Sequence, residues 1–302
     1  MINNIKEYLS KEFIDYYNFI ETFKESRDEY KYNFMPDSDY DKIQDIGLRT
    51  NIYWKEIVYR VHIVILVSLF KTSRWIDSLN NNVNNYYGFC SNLRGLIESC
   101  ADSFYTLRSV PLTIATDYKA IYESIHNKVP IVLTHDNLQS TLIHYISATK
   151  LNKDESKEYP KEFNAKQITE YLSSIKDGNE KIIFLYQFLC GISHPASEAT
   201  EMFLFLHKGE TIVCSDSNRL ESELITGLLG SFKEVLTKMI GAHIINIIGT
   251  LTLLNKFDLK EINTNFAKND DFKEHDSWKE IDKFINESII KYDDALKTGN
   301  YE

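Results

Sequence analysis

Glycine and proline are scarce in this sequence, with 11 and 5 copies among 302 residues. The many tight turns of a β-sandwich or β-barrel would be hard to build from so few turn-forming residues. Hydrophobic residues make up 43% of the chain, enough for a core of ordinary size without help from metals or disulfides. The composition therefore predicts an all-α protein, a multi-helix bundle. A chain of this length can form one large domain or two intimately packed ones, and we take residues 1–302 as a single helical domain.

Cysteine pairs and known catalytic motifs are also absent. The four cysteines are far apart and form no Cys-x-x-Cys pair, so the sequence predicts neither a zinc site nor a disulfide framework. No glycine-rich phosphate loop, Gly-x-Ser-x-Gly or His-Glu-x-x-His motif is present, and we expect no metal and no cofactor. Free thiols, and N-terminal residues too charged for an export signal, favour a cytoplasmic protein.

The formal net charge of −10 excludes binding to nucleic acid by bulk attraction. Residues 46–130 differ, because nine Lys/Arg stand against six Asp/Glu there and five of the seven arginines lie in that range. A local basic surface is one interpretation, and a solvated helix face is the other. The run Met239–Asn255 has no formally charged residue but is short for a membrane span. We expect a buried core helix there and no membrane association.

Apolar residues repeat at steps of three and four along most of the chain, which is typical of helices. The predicted helices cover 4–30, 50–78, 84–108, 113–127, 135–150, 165–176, 180–194 and 220–254, the last either continuous or broken near Gly241. Residues 1–80 form an N-terminal long-helix pair and 84–254 the core bundle. A mobile surface loop is predicted at 151–160 and one short β-hairpin near 201–215. The terminal helix carries an apolar stripe of Trp278, Ile281, Ile285, Ile289, Tyr292 and Leu296.

Two segments carry candidate site residues. Arg94, Glu98 and Asp102 are four apart, so they share one helix face beside apolar positions, where charged groups need partners. Tyr186, Cys190 and His194 are also four apart, and His194 stands at a helix end just before a proline. If these two faces meet, Glu98 could orient His194 and the group could act on an anion or a labile proton. The alternative is that the same residues only fix helix packing.

Together the segments resemble HEPN-like helical bacterial proteins of unknown function, which have an Arg-x-x-x-Glu helix and a later Tyr-x-x-x-Ser-x-x-x-His stretch. The matching residues are Arg94, Glu98, Tyr186 and His194, whereas Cys190 stands where the serine is usual. The resemblance implies a defence or toxin system and action on RNA. The sequence departs from HEPN ribonucleases, because no arginine is followed by histidine in an Arg-x4–6-His motif.

Two functions therefore remain open. In the first, the protein is a helical effector or accessory protein of a bacterial defence or toxin system that binds or acts on RNA or a nucleotide through Arg94, Glu98, Tyr186 and His194. In the second, it is a non-enzymatic interaction protein, a dimeric scaffold with a protein partner, and these side chains are buried and fully paired. A homo-oligomer is expected in either case. A third idea is an apolar ligand pocket near Met239–Leu254.

Overall fold

A computed structural model describes residues 5, 11–25, 30–129, 135–175, 179–194, 200, 204–207, 209–213, 218–262 and 270–298. Helices dominate these residues, which confirms the all-α class and the multi-helix bundle. The α-helices are α1 (Lys11–Glu25), α2 (Asp37–Tyr40), α3 (Ile46–Asn81), α4 (Tyr86–Leu107), α5 (Val110–Thr116), α6 (Tyr118–Asn127), α7 (Asp136–Ser147), α8 (Glu155–Glu158), α9 (Ile168–Ser173), α10 (Asn179–Ser193), α11 (Asn218–Asn255) and α12 (Asp276–Thr298). Short 3-10 turns form at Lys161–Phe163 and Asp270–Glu274.

The β-hairpin predicted near residues 201–215 is present. Strand β1 (Leu204–His207) pairs antiparallel with β2 (Glu210–Val213), with Leu204 opposite Val213 and His207 opposite Glu210. Gly209 lies in the connection with φ 84°, a left-handed conformation that glycine adopts without strain. The turn chemistry of the sequence thus places the pair where it was expected.

The chain groups into two compact units, each built from three segments. Unit 1 comprises Met1–Glu25, Ser68–Tyr105 and Lys166–Ile244, and unit 2 comprises Ser26–Val67, Thr106–Ala165 and Ile245–Glu302. Helices α3 and α11 each contribute residues to both units. The single domain with parts 1–80 and 84–254 stays a prediction.

Unit 1 buries the apolar face of α4. Phe89, Leu93, Ile97 and Cys100 recur at steps of three and four and are all at most 2% exposed. Gly95 lets α3 approach closely, since a β-carbon at that position would lie 2.6 Å from ring atoms of Trp75. Helix α10 packs on α9. The buried face of α4 thereby fixes which of its residues face away from the core.

Unit 2 buries most of the terminal apolar stripe. Trp278, Ile281, Ile285 and Tyr292 of α12 are buried, and α12 packs on α5 and α6. Leu296, which the pattern placed on the same stripe, is instead 56% exposed. The apolar spacing therefore continues into the last turn of α12, but the side chain there is not buried.

Some helix boundaries differ from the predicted ones. The predicted helix over 113–127 is two helices, because Asp117 leaves the helical conformation with φ −117° and ψ 19°. Helix α11 is continuous through Gly241, where Tyr16 packs closely against the backbone. The predicted loop at 151–160 contains the one-turn helix α8. Within the predicted helix over 4–30, α1 covers Lys11–Glu25, and residues 4, 6–10 and 26–29 lie outside the described residues.

One helix among the described residues, Glu221–Asn255, is long and apolar enough to cross a membrane. Of its most apolar window, 72% is buried inside the protein. That burial fits a core helix of a soluble protein, as the sequence predicts for the run from Met239 to Asn255.

Candidate functional site

Helix α4 presents an ion pair on the side away from its buried stripe. Arg94 Nε donates a hydrogen bond to Glu98 Oε1 over 3.2 Å. The spacing of four residues places the two groups one helical turn apart, as this contact requires. The Arg94 side chain is 28% exposed and the Glu98 side chain 38%. The pair is thus half-buried and reachable from solvent.

Helix α10 and the residue after it complete the group. The Tyr186 hydroxyl donates to Glu98 Oε1 over 2.8 Å. Arg94 Nη1 lies 3.4 Å from His194 Nε2, and His194 is exposed. Unit 1 therefore brings together all four of the site residues that the sequence predicts, and Glu98 Oε1 accepts hydrogen bonds from both Arg94 and Tyr186.

The hydrogen bonds constrain the protonation states of the group. Burial, and then the Glu98 carboxylate and Cys190, raise the pKa of the Tyr186 phenol, so Tyr186 remains a donor at neutral pH. A guanidinium only donates, so in the contact with Arg94 the acceptor is His194 Nε2. The site consequently holds a fixed cation beside an exposed imidazole.

Chemically, the arrangement suits an anion next to an exchangeable proton. Arg94 uses Nε for the hydrogen bond to Glu98 and Nη1 for the contact with His194. Within the part of the chain that the structure describes, no hydrogen bond from Nη2 is found. A guanidinium edge can bind a phosphate or carboxylate in a bidentate manner. Imidazole is the side chain that most often serves as a general acid or base. Those two properties define the candidate site.

Asp102, the third member of the α4 row, has a different partner. Lys71 Nζ donates to Asp102 Oδ2 over 3.0 Å, which links α4 to α3 within unit 1. Burial, and to a smaller extent the negative charge of Asp102, raises the pKa of Tyr171. Of the three charged residues on this face of α4, Arg94 and Glu98 belong to the candidate site and Asp102 belongs to a separate ion pair.

No family model, curated protein or solved structure matches the chain. The resemblance to HEPN-like proteins therefore stays a prediction. Among the described residues, no group of three or more His, Cys, Asp or Glu side chains is placed to hold a metal ion. The site's chemistry has to be argued from Arg94, Glu98, Tyr186 and His194 themselves.

Three histidines that occur near one another in the sequence have separate partners in unit 2. His126 Nε2 lies 2.8 Å from the Phe257 carbonyl, and His144 Nδ1 lies 2.8 Å from the Glu162 carbonyl. His135 Nε2 lies 2.8 Å from Asp117 Oδ2. The His135 contact accompanies the break between α5 and α6 at Asp117.

Sequence reasoning missed a buried polar cluster in unit 1. His243 of α11 lies 3.1 Å from Thr72 Oγ1 and 3.5 Å from Ser68 Oγ through Nε2. The Ser68 hydroxyl donates to the Ser103 hydroxyl over 2.6 Å. The one signal in the sequence was a histidine inside an uncharged run. The partners of this histidine come from α3, more than 100 residues away, so no local spacing could identify them.

Proposed function

We propose that unit 1 binds the phosphate group of RNA or of a nucleotide through Arg94 and His194. The observation that supports this proposal is the meeting of an arginine from α4 with the histidine that follows α10, both accessible to solvent. A purely structural group would be expected to be buried and fully paired. Here His194 is exposed and part of the guanidinium edge has no described partner.

The net charge determines how such a site would work. At −10, the whole protein repels a polyanion at long range. Binding must therefore come from short, directional contacts, which a guanidinium supplies to phosphate oxygens. We infer modest affinity with strong dependence on Arg94, rather than a broad basic surface.

The four residues have different roles in this proposal. Arg94 binds the phosphate, and His194 exchanges a proton with a reacting or bound group. Glu98 and Tyr186 are positioning residues, because Glu98 fixes the guanidinium through Nε and Tyr186 fixes Glu98. A carboxylate that accepts two hydrogen bonds holds its arginine in one orientation, which reduces the entropy lost on binding.

We expect Arg94→Ala to lower the affinity for a fluorescent ATP analogue and for a short single-stranded RNA by about 10- to 100-fold, because a charge-assisted hydrogen bond contributes about 1.5–3 kcal/mol. His194→Ala is expected to lower the affinity less, and to abolish any RNA cleavage. Fluorescence anisotropy measures the binding, and gel electrophoresis measures the cleavage. Arg74→Ala is the matched control, since Arg74 is exposed on α3 in the same unit.

Equal affinities for the wild type, Arg94→Ala and Arg74→Ala would contradict the proposal. Equal losses in Arg94→Ala and Arg74→Ala would also contradict it, because the effect would then be one of overall charge. Circular dichroism of each variant separates a lost site from a lost fold.

The second candidate function is a non-enzymatic scaffold. It is favoured by one observation, the double use of Glu98 Oε1, which joins Arg94 on α4 to Tyr186 on α10. This function predicts that Arg94→Ala lowers the melting temperature and that the wild type binds neither ligand. The binding and melting experiments on the same variants therefore distinguish the two functions.

The resemblance to HEPN-like proteins supports a further part of the proposal, a role in a bacterial defence or toxin system. Growth arrest on expression in a bacterial host, relieved by Arg94→Ala, is the expected result. Unchanged growth with the wild-type protein would contradict a toxin role. The dimer and the cytoplasmic location stay predictions.

A further inference from the structure

The centre of unit 1 contains a polar cluster that spans three helices. Its members are Ser68 and Thr72 from α3, Ser99, Cys100 and Ser103 from α4, and His243 from α11; each is at most 3% exposed. Hydrogen bonds connect Ser103 to Ser68, and His243 Nε2 lies within reach of both Ser68 and Thr72. A titratable ring thus stands at the junction of the three helices.

The hydrogen bonds of His243 suit the neutral ring and not the charged one. Nε2 faces two hydroxyls, whereas the buried Nδ1 has no hydrogen-bond partner within the described part of the chain. Protonation would make both ring nitrogens donors. The new N–H of the imidazolium would then be buried without an acceptor, which costs considerably more for a charged group than for a neutral one.

The groups around the ring would also oppose a positive charge. From α3, the positive charge of Lys71 lowers the pKa of His243, as burial does. Lys71 is itself paired with Asp102. From α4, burial raises the pKa of the Cys100 thiol to about 12, so that thiol stays neutral. From α1, the phenol of Tyr16 packs against α11 at Gly241. Lys71 is therefore the charge that reinforces the effect of burial.

We propose that His243 is an acid-sensitive lock in unit 1. Its neutral ring joins α11 to Ser68 and Thr72 of α3, Ser68 joins α3 to Ser103 of α4, and protonation of the ring would break this connection. Because α4 also carries Arg94 and Glu98, release of these helices would dismantle the candidate site. A falling pH would then favour the open form of unit 1, in which the candidate site is lost. This device does not depend on what the site binds.

The direction of the pH effect follows from burial. Burial, reinforced by Lys71, lowers the pKa of His243 in the folded protein from 6.5 to about 3. In the unfolded chain the ring takes up a proton below its ordinary pKa near 6.5. The contribution of neutral His243 to the free energy of unfolding is therefore complete above about pH 6.5, and it is lost progressively as the pH falls from there toward 3. When the pH is lowered from 7.5 to 5.5, this one group raises the equilibrium constant for unfolding by about tenfold.

Hydrogen–deuterium exchange of α4 and α11 peptides measures this effect in the full-length protein. Between pH 7.5 and 5.5, we expect the opening equilibrium of these peptides to rise about tenfold more in the wild type than in His243→Gln. Glutamine keeps a polar group near Thr72 but does not titrate. His275→Gln is the control, because His275 is an exposed histidine outside the candidate site, and it should keep the wild-type dependence on pH.

The same pH dependence in His243→Gln and the wild type would overturn the proposal. An independent measurement covers the case in which His243→Gln does not fold. In imidazole NMR spectra of the wild type, one of the eight histidines should stay neutral down to about pH 5 while the protein remains folded. Titration of all eight rings with midpoints above 6 would contradict the lock.

Discussion

Trp54→Ala is expected to lower the unfolding free energy of unit 2 by about 3–5 kcal/mol, the cost of removing a large buried aromatic side chain. Trp54 is 0% exposed, and its ring contacts those of Tyr53 and His135 edge-on, at 5.2 and 5.7 Å between centroids. A loss of that size approaches the whole stability of many domains. Urea unfolding followed by circular dichroism measures it.

Trp54→Phe is the matched variant. The Trp54 indole nitrogen is buried without a hydrogen-bond partner among the described residues, so phenylalanine sacrifices no hydrogen bond there. We expect it to cost no more than about 2 kcal/mol, for the smaller ring volume alone. A cost for Trp54→Phe equal to that of Trp54→Ala would show that the indole N–H has an important partner.

Gly95→Leu is expected to destabilise unit 1 by about 3 kcal/mol, at the upper end of the cost of overpacking. A β-carbon at Gly95 would lie 2.6 Å from ring carbons of Trp75, so either the ring or α4 must move. Leucine favours a helix over glycine by somewhat less than about 1 kcal/mol, which is too little to offset the clash. The melting temperature is expected to fall accordingly.

Gly227→Leu provides the opposite case within the same unit. Gly227 lies on α11 with nothing within 4 Å of the position that a β-carbon would take. Leucine there is expected to be neutral or slightly stabilising, since only the helix preference changes. Adding Trp75→Ala to Gly95→Leu should recover part of the loss. Equal melting temperatures for Gly95→Leu and Gly227→Leu would contradict the close packing of α3 and α4.

Helix periodicity made much of the fold predictable. Helix α3 was found within a few residues of its predicted ends, and α12 covers the whole of the predicted apolar stripe. Local chemistry also located the hairpin, since His207-Lys208-Gly209-Glu210 lies between two apolar runs. These features depend on neighbours in sequence, which a single chain reveals.

Features that depend on distant partners were not predictable. The break at Asp117 accompanies a contact with His135, 18 residues later. The partners of His243 are Ser68 and Thr72 on α3, and nothing in the spacing around His243 indicates them. A local pattern reports which face of a helix is apolar but not which polar groups meet across a core.

The candidate site lies between these two cases. The Arg94–Glu98 pair follows from the spacing of four residues alone. That Tyr186 and His194 face this pair was a hypothesis, and the hydrogen bonds of Tyr186 to Glu98 and of Arg94 to His194 agree with it. Asp102 has the same spacing but pairs with Lys71 of α3.

The most direct test of the central claim is an NMR titration of the protein with ATP that follows the Arg94 side-chain Nε–Hε signal and the His194 ring. Binding at the candidate site predicts saturable shifts of both signals with a single dissociation constant, and no shift at Arg74. If the Arg94 and His194 signals stay unchanged up to millimolar ATP, and also with a short RNA, the site does not bind phosphate.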